Sequence, residues 1–410
     1  YSDIRQELMQ QGFSESAISH TSSSDIEEQS RELSSYVKAQ NGSHKKKIIF
    51  IAPVQAESPL TKDYSPYAAQ QDGTTGTAVL RRALDKARSA GIRTILFGNT
   101  VKGFTADIRV PMLTGRDVGR VQAKQLVSKL KLSEASAKHP ASIEILLPLV
   151  KDNDFTKEIF QGIWDILGPY YASGSVYSPS GLLTKNSSAK DWKNVTADSS
   201  DQSSIADAVT ARLATHNGHR HRRINGILAV NDNTAAGVIK ALGRMGYTGS
   251  SADINPQISV GGVVRNLTGG TTVKRRPVPE PLVRDDRADS PADGSRNAQE
   301  TADYPQWPIV TGFGAYLSSL PDIVNGKQWS TTFIDRKAYA RDLAQICAFI
   351  AQDKSLGYIA SAMKNVSAGS RPSGTTKSVT LDEPLLTISA SNMKTILIDK
   401  GYIKATDADL

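Results

Sequence analysis

Apolar residues occur in two alternating patterns along this chain. The first is a short, nearly continuous apolar run, which is typical of a strand buried in a parallel sheet. Such runs occupy residues 48–53, 94–97, 110–113, 143–147, 176–177, 224–230 and 330–334. The second is the three-to-four-residue spacing of an amphipathic helix, found over residues 77–90, 118–130, 155–167, 204–213, 231–245 and 337–352. Strands that alternate with helices predict an α/β fold built on a doubly wound parallel sheet.

The succession of elements is long enough for two such sheets. A chain of 410 residues exceeds one ordinary core and suits two domains. The pattern restarts near Asp117 and returns late to the first set of elements, which predicts two Rossmann-like lobes joined by a hinge. The N-terminal lobe is expected to contain residues 1–113 with 337–384, and the C-terminal lobe residues 114–336 with 385–410. A cleft between two lobes is a natural site for a small molecule.

The first forty residues predict a helix, a strand and a second helix. Ile4 and Leu8 share one helical face, residues 17–21 are predicted as a short strand, and the second helix begins at Asp25. A flavodoxin-like sheet places its first strand in the interior, whereas this sequence opens in a helix. We therefore expect the first strand to be missing, which would leave an empty position beside residues 48–53.

Two later segments lack the apolar residues that a packed core needs. Residues 269–305 are rich in Pro, Asp, Arg, Gly and Ser, and they predict a disordered-looking surface insertion. Residues 368–377 predict a second, shorter loop. Beyond that loop, residues 385–388 predict a strand and residues 391–400 a capped terminal helix.

Composition excludes two classes of protein. The net charge of +8 and pI of about 9.3 would suit a nucleic-acid partner. However, the basic residues fall in loops at 44–47 and 219–223 without any DNA-binding motif, so no nucleic acid is expected. No run approaches the ~20 apolar residues of a membrane span. The single cysteine, Cys347, lies on an apolar helical face and is predicted to be a buried small hydrophobe.

The sequence lacks the motifs of common enzyme classes. No G-x-G-x-x-G joins a strand to a helix, and no nucleophile elbow is present. His216, His219 and His221 lie in a polar, glycine-containing loop, where a solvated turn is favoured over a metal site. We therefore expect no catalysis, no metal and no cofactor.

The most informative segment is the apolar run 224–230, which ends in Asn231 and Asp232 and continues into a helix. Polar groups at the carboxyl end of a buried strand lie at the edge where open α/β sheets bind ligands. The Asn231 amide offers both an acceptor and donors, which suits a hydroxylated ligand. An Asx cap on the following helix explains the same residue equally well. Both interpretations stay open from this segment alone.

Three segments resemble the type I periplasmic sugar-binding proteins of the xylose and ribose type, the receptors of sugar ABC importers. Residues 117–127 are similar to the first helix of the family's second lobe, residues 231–237 to its asparagine-aspartate turn, and residues 384–402 to the tail of the xylose-binding branch. The order of elements from residue 3 to the end is also similar. The resemblance implies that Asn231 binds the sugar.

The resemblance implies further ligand contacts by position. Asp152, Asn153 and Asp154 fall where the family has a contacting arginine or asparagine, although Asp154 also suits a helix N-cap. Asp335 falls at a crossover where the family has a polar ligand contact, with an ion pair to an adjacent basic residue as the alternative. Trp192 lies where the family stacks an aromatic ring on the sugar. A core or helix-start tryptophan is the alternative.

Two departures from the family's pattern predict a different ligand. Gly98 and Asn99 stand where the family usually has Asp-Arg, and Gly314 stands where it has aspartate. These changes remove charge-assisted hydrogen bonds, and glycine at both places would enlarge the cleft. The loop that begins at Gln55 is also longer than the fold needs. We therefore expect a larger or differently shaped sugar, such as an oligosaccharide or a furanose, with Asn99, Gln55 and Asp335 as polar contacts.

The resemblance identifies the chain as an extracytoplasmic solute-binding protein, in the periplasm or lipid-anchored on the outer face of the cytoplasmic membrane. It would capture a mono- or oligosaccharide as a monomer and deliver it to the membrane permease of an ABC importer. The alternative is the effector-binding domain of a LacI-type transcriptional regulator, which shares the fold. A gene that starts with a signal peptide and lipobox, rather than a helix-turn-helix, would separate the two.

Overall fold

The computed structural model describes residues 1–40, 46–54, 77–149, 154–215, 221–252, 307–370 and 377–408. The chain divides into two compact units. Unit 1 contains Tyr1–Thr114 and Ile334–Pro384, and unit 2 contains Gly115–Phe333 and Leu385–Leu410. The insertion expected at 269–305 lies outside the described residues. Within the described ranges, every helix is too short or too polar to cross a membrane.

Helices and strands alternate along much of the chain. The α-helices are α1 (Ser2–Gln10), α2 (Ile26–Ala39), α3 (Thr77–Ser89), α4 (Gly115–Lys129), α5 (Asp154–Ser173), α6 (Gln202–Leu213), α7 (Asp232–Arg244), α8 (Leu320–Val324), α9 (Arg336–Ala351) and α10 (Leu356–Ala362). The strands are β1 (Ile48–Ile51), β2 (Arg93–Phe97), β3 (Ile108–Val110), β4 (Ala141–Pro148), β5 (Val176–Tyr177), β6 (Thr196–Ala197), β7 (Gly226–Ala229), β8 (Ile309–Phe313), β9 (Ser330–Phe333), β10 (Val366–Ser370), β11 (Lys377–Leu381) and β12 (Leu386–Ser389). This alternation confirms the predicted α/β class.

Unit 1 is built on a five-stranded sheet in the order β1-β2-β3-β11-β10. The first four strands are parallel, and β10 pairs antiparallel with β11. Leu33 and Val37 of α2 form a buried core with Leu80 and Leu84 of α3. In α9, Cys347 is 1% exposed, so the prediction of a buried cysteine is confirmed.

The strand expected at residues 17–21 does not form. Residues Glu15–Ala17 make a 3-10 turn, and among the described residues no strand pairs with residues 18–24. The reason is local composition, because Ile18 is the only large apolar side chain in this segment and a strand there would bury almost nothing. On the sheet itself, β2 is the one described neighbour of β1.

The predictions for residues 368–377 and 391–400 also need correction. Of the loop expected at 368–377, the ends belong to β10 and β11, which pair from Val366↔Leu381 to Ser370↔Lys377. Residues 371–376 lie outside the described ranges. Backbone hydrogen bonds to β11 hold residues 366–370 in a strand, even though their glycine and serine residues have little apolar surface to bury. The terminal helix expected at 391–400 is reduced to a π-helical turn at Lys394–Ile398.

Unit 2 is built on a seven-stranded sheet in the order β12-β9-β8-β7-β4-β5, with β6 paired to the end of β4. All these pairs are parallel except β12 with β9. Ile205 and Val209 of α6, Val238 and Leu242 of α7, and Trp307 lie in one buried core. Because β4, β7, β8 and β9 run in the same direction, their carboxyl ends meet at one edge of the sheet. We call it the carboxyl edge of unit 2.

Helices α4 and α5 pack with their backbones in close approach. A Cβ atom at Gly119 would lie 2.0 Å from the Ile159 carbonyl oxygen, and one at Gly162 would lie 2.1 Å from the Arg116 carbonyl oxygen. The Arg116 guanidinium also donates two hydrogen bonds of 2.8 Å to the two carboxylate oxygens of Asp165 on α5. These bonds hold the pKa of Asp165 below its usual range. Glycine is therefore required where the two helices meet.

Candidate functional site

Asn231 lies at the carboxyl edge of unit 2, two residues after β7. It is 6% exposed, and its side-chain Oδ1 accepts a 2.7 Å hydrogen bond from the Thr234 backbone N–H, which caps α7. Its amide Nδ2 donates to no residue that the structure describes. The cap therefore uses one lone pair of the oxygen, and the two N–H donors of the amide have no acceptor among the described residues.

The next residue, Asp232, is a buried carboxylate held by four hydrogen bonds. Its Oδ1 accepts from Gln328 Nε2 at 2.7 Å and from Thr331 Oγ1 at 2.8 Å. Its Oδ2 accepts from Ser319 Oγ at 2.9 Å and from the Tyr316 backbone N–H at 3.2 Å. Burial raises the pKa of Asp232, and these hydrogen bonds oppose the rise. The carboxylate thus ties the start of α7 to the loop after β8.

Gly312 of β8 makes room for this carboxylate. A Cβ atom there would lie 2.3 Å from Asp232 Oδ1 and 2.4 Å from Gln328 Nε2. Both distances are far inside van der Waals contact, so any side chain at 312 would displace the hydrogen-bonded pair.

The loop after β8 turns through two residues of positive φ, Gly314 at +128° and Ala315 at +53°. The Ala315 N–H donates to Thr331 Oγ1 at 3.1 Å, and the Tyr316 N–H donates to Asp232. The ring of Tyr316 covers Gly314, because its Cε2 would lie 2.8 Å from a Cβ at that position. The space that glycine was expected to open is therefore filled here by Tyr316.

The end of β4 brings a further segment to this edge. The backbone N–H of Leu149 donates to the Ala197 carbonyl at 2.8 Å, and the Leu149 side chain is 59% exposed. Asp152 and Asn153 lie outside the described residues. Asp154 is exposed and is the first residue of α5, where its charge is favourable beside the helix N-terminus.

Trp192 belongs to a 3-10 helix, Asp191–Val195, that leads into β6 beside the end of β4. The indole is half-buried, and the Lys193 ammonium lies 5.5 Å from its ring centroid. Arg212 of α6 fixes this segment, because its Nη2 donates to the carbonyl oxygens of Val195 at 2.9 Å and Thr196 at 3.2 Å. Trp192 therefore lies on an anchored segment near the carboxyl edge of unit 2.

Within unit 1, Asn99 follows β2 at the carboxyl end of that sheet. Its Nδ2 donates to the Pro53 carbonyl oxygen at 3.3 Å, which links the ends of β1 and β2. The preceding Gly98 has a φ of +61°, and a Cβ there would meet no described atom within 4 Å. Gln55 lies outside the described residues.

Asp335 directly precedes α9 and caps it. Its Oδ1 accepts a 3.0 Å hydrogen bond from the Ala338 backbone N–H, and the residue is 7% exposed. The candidate residues therefore fall into two sets. Asp154, Trp192 and Asn231 belong to unit 2, whereas Asn99 and Asp335 belong to unit 1.

The described residues contain no group of three or more His, Cys, Asp or Glu side chains placed to hold a metal ion. His216 and His219 lie outside the described ranges. The ring of His221 is tilted against that of Tyr247, with their centroids 6.4 Å apart.

Sequence reasoning missed two residues of this region. Asp232 directly follows Asn231, but a buried strand followed by two polar residues does not indicate that the second one accepts four hydrogen bonds from distant residues. Tyr316 had the weaker signal of an aromatic residue two positions after a glycine. Its position depends on the positive φ angles of Gly314 and Ala315, which no periodicity encodes.

No model of a protein family matches the chain. The chain is 23% identical, over 334 residues, to the multiple sugar-binding periplasmic protein SbpA of Azospirillum brasilense. The match covers 81% of this chain and 71% of that protein.

Two solved structures share the fold over nearly the whole chain. An ABC transporter solute-binding protein from Clostridium phytofermentans, with bound β-D-glucose, has a TM-score of 0.54 and 18% identity, with 99% of this chain and 94% of that chain covered. A carbohydrate transporter solute-binding protein from Chloroflexus aurantiacus, in complex with D-glucose, has a TM-score of 0.50 and 20% identity, with 99% and 92% covered. These likenesses confirm the predicted resemblance and the fold of the type I periplasmic binding proteins.

Proposed function

We propose that this protein is an extracytoplasmic solute-binding protein that captures a sugar and delivers it to an ABC importer, without catalysing a reaction. The observation that carries the proposal is the Asn231 amide, placed at the carboxyl edge of the unit 2 sheet with its nitrogen donating to no described residue. The similarity to a multiple sugar-binding periplasmic protein supports the same conclusion.

The chemistry of this edge suits a hydroxylated ligand. A sugar hydroxyl loses water when it is bound and needs a protein partner, which the Asn231 N–H groups supply. The turn that carries the amide is rigid, because Asp232 anchors it through four hydrogen bonds. A partner held in place before binding loses little conformational entropy when the ligand arrives.

The unit 1 sheet offers a second set of contacts in this proposal. Asn99 lies at its carboxyl edge, and a Cβ at Gly98 would meet no atom within 4 Å in the part of the chain that the structure describes. This room supports our expectation of a sugar larger than, or shaped differently from, free ribose or xylose. Trp192, Asp154 and Asp335 remain proposed contacts, as do Gln55, Asp152 and Asn153.

The direct test is calorimetric titration of the purified chain with D-glucose, D-xylose, D-ribose, maltose and methyl α-L-arabinofuranoside. Asn231→Asp is the sharpest variant, because aspartate keeps the helix cap while it removes the two N–H donors. We expect it to weaken binding of the best sugar by about 1–3 kcal/mol, and to lower the melting temperature because it adds a second carboxylate beside the buried Asp232. Asn231→Ala should lose the cap as well as the contact.

A matched control separates cap loss from ligand loss. Ser355 caps α10 through a 3.1 Å hydrogen bond from the Tyr358 backbone N–H, and it is not a proposed ligand contact. Ser355→Ala should lower stability by about 1 kcal/mol and leave sugar affinity unchanged. Binding of no sugar by the unmodified chain would refute the proposed function. Wild-type affinity in Asn231→Ala would refute only the assignment of Asn231, whereas wild-type affinity in Asn231→Asp would refute only the role of its N–H donors.

A further inference from the structure

The Tyr316 ring has a position that only glycine at 314 permits. Its Cε2, Cζ and Cδ2 atoms would lie 2.8, 3.1 and 3.2 Å from a Cβ atom at residue 314. The φ of +128° at Gly314 is also a conformation that residues with a side chain rarely adopt. Both the backbone path and the ring position therefore depend on the same glycine.

The loop that carries this ring is anchored to the buried carboxylate beside Asn231. The Tyr316 backbone N–H and the Ser319 hydroxyl both donate to Asp232 Oδ2. The Ser319 backbone N–H also donates to the Tyr316 carbonyl oxygen at 2.9 Å. The Asp232 carboxylate thus fixes the Tyr316 backbone, and Asp232 is also the first residue of α7, the helix that Asn231 caps.

The ring and the amide belong to neighbouring strands of one sheet. β7 pairs with β8 in the register Ile227↔Val310 and Leu228↔Thr311, and adjacent strands lie about 4.8 Å apart. The ring is half-buried rather than enclosed in the core, and the adjoining Leu317 is 54% exposed. Tyr316 and Asn231 therefore follow neighbouring parallel strands at the same edge of the unit 2 sheet.

We propose that Tyr316 is a ligand-contacting residue whose ring packs against the C–H face of a sugar ring while the Asn231 amide binds one of its hydroxyls. This inference rests on the proposed function and names part of its ligand surface. Sugar rings present apolar C–H groups on a face that is rimmed by hydroxyls, and an aromatic ring matches that face. Gly314 thereby exchanges a charged contact for an aromatic one.

The test compares three variants in calorimetric titrations with the sugar that binds best in the panel above. Tyr316→Ala should weaken binding about tenfold, because it removes the whole ring. Tyr316→Phe should stay within about twofold of wild type, because it keeps the ring and loses only the hydroxyl. Tyr358→Ala is the matched control, since Tyr358 is a 44% exposed tyrosine of unit 1 outside the proposed site, and it should bind as wild type does.

A second measurement separates contact from mere support of the loop. Saturation-transfer NMR should carry magnetisation from aromatic protons to the C–H protons of the bound sugar in wild type and in Tyr316→Phe, and much less in Tyr316→Ala. Wild-type affinity in Tyr316→Ala, or a loss in Tyr316→Phe equal to that in Tyr316→Ala, would overturn the inference. So would undiminished transfer in Tyr316→Ala. If wild type binds no sugar, the proposed function itself fails, and that result is distinct from all three.

Discussion

The contact between α4 and α5 allows the effect of a single methyl group to be predicted. Gly119 faces α5, where an added Cβ would lie 2.0 Å from the Ile159 carbonyl oxygen and 2.8 Å from the Ile163 nitrogen. Gly243 in α7 is exposed, and a Cβ there would meet no atom within 4 Å among the residues that the structure describes. The substitutions Gly119→Ala and Gly243→Ala therefore make the same chemical change in two different surroundings.

The two variants should shift stability in opposite directions. Ordinary contact begins at 3.4 Å, so the methyl group at 119 falls 1.4 Å short of the room it needs. The atoms in its way are backbone atoms, so the helices must move apart, and such overpacking costs about 1–3 kcal/mol. Alanine gains about 1 kcal/mol over glycine inside a helix. Because the overlap at 119 is with backbone atoms at 2.0 Å, the cost should fall in the upper part of that range, at about 2–3 kcal/mol. We therefore expect a net loss of about 1–2 kcal/mol for Gly119→Ala and a gain of up to about 1 kcal/mol for Gly243→Ala.

Urea unfolding followed by tryptophan fluorescence measures this difference directly. All four tryptophans lie in unit 2, with Trp164 on α5 itself, so the signal reports the unit that carries both substitutions. The unfolding midpoint should fall for Gly119→Ala and rise or stay level for Gly243→Ala. If both midpoints move in the same direction, or if Gly119→Ala is as stable as wild type, the close approach of the two helices is wrong.

Two buried carboxylates lead to further predictions. Asp232→Asn should lower the free energy of unfolding by about 1–3 kcal/mol, because an amide nitrogen would face hydrogen-bond donors. The same urea assay measures this loss. Asp207→Asn is the control and should change the free energy of unfolding little, because that side chain is 78% exposed. Burial, with Asp342 beside it, raises the pKa of Glu383 from 4.5 to about 7. The folded state therefore binds more protons than the unfolded state between these values, and this stabilising contribution is lost as pH rises through about 7. Thermal unfolding from pH 5 to 8 should show this decline in wild type and a flatter profile in Glu383→Gln; identical profiles would contradict it.

The alternation of apolar runs and helical spacing was enough to predict the two parallel sheets. Burial on both faces selects continuous apolar residues, so strands such as β4 and β7 are visible in the sequence alone. The strand expected at 17–21 failed, since Ile18 alone could not supply a buried face. β10 was missed for the opposite reason, because it is held by backbone pairing to β11 and its residues 366–370 carry almost no apolar pattern.

The same distinction applies to the candidate site. Strand ends are predictable, and so is the presence of polar residues there, which is why the sequence marks Asn231 as a candidate. The role of its neighbour Asp232 was not predictable, because Gln328, Thr331 and Ser319 come from nearly 90 to 100 positions further along the chain. Only the pairing of β7 with β8, and of β8 with β9, brings those donors to the carboxylate.

Gly98 and Gly314 stand where the resemblance predicts charged residues, and they show that a missing side chain does not by itself indicate a larger site. At Gly98 an added Cβ would meet no atom of the described residues within 4 Å, so no described side chain takes the place of the missing one. At Gly314 the backbone takes a φ of +128°, and the Tyr316 ring lies where a side chain of residue 314 would begin. The sequence alone predicts an enlarged cleft at both positions. Whether a lost side chain enlarges a site depends on whether the freed backbone can bring another side chain to the same place, and at 314 it does.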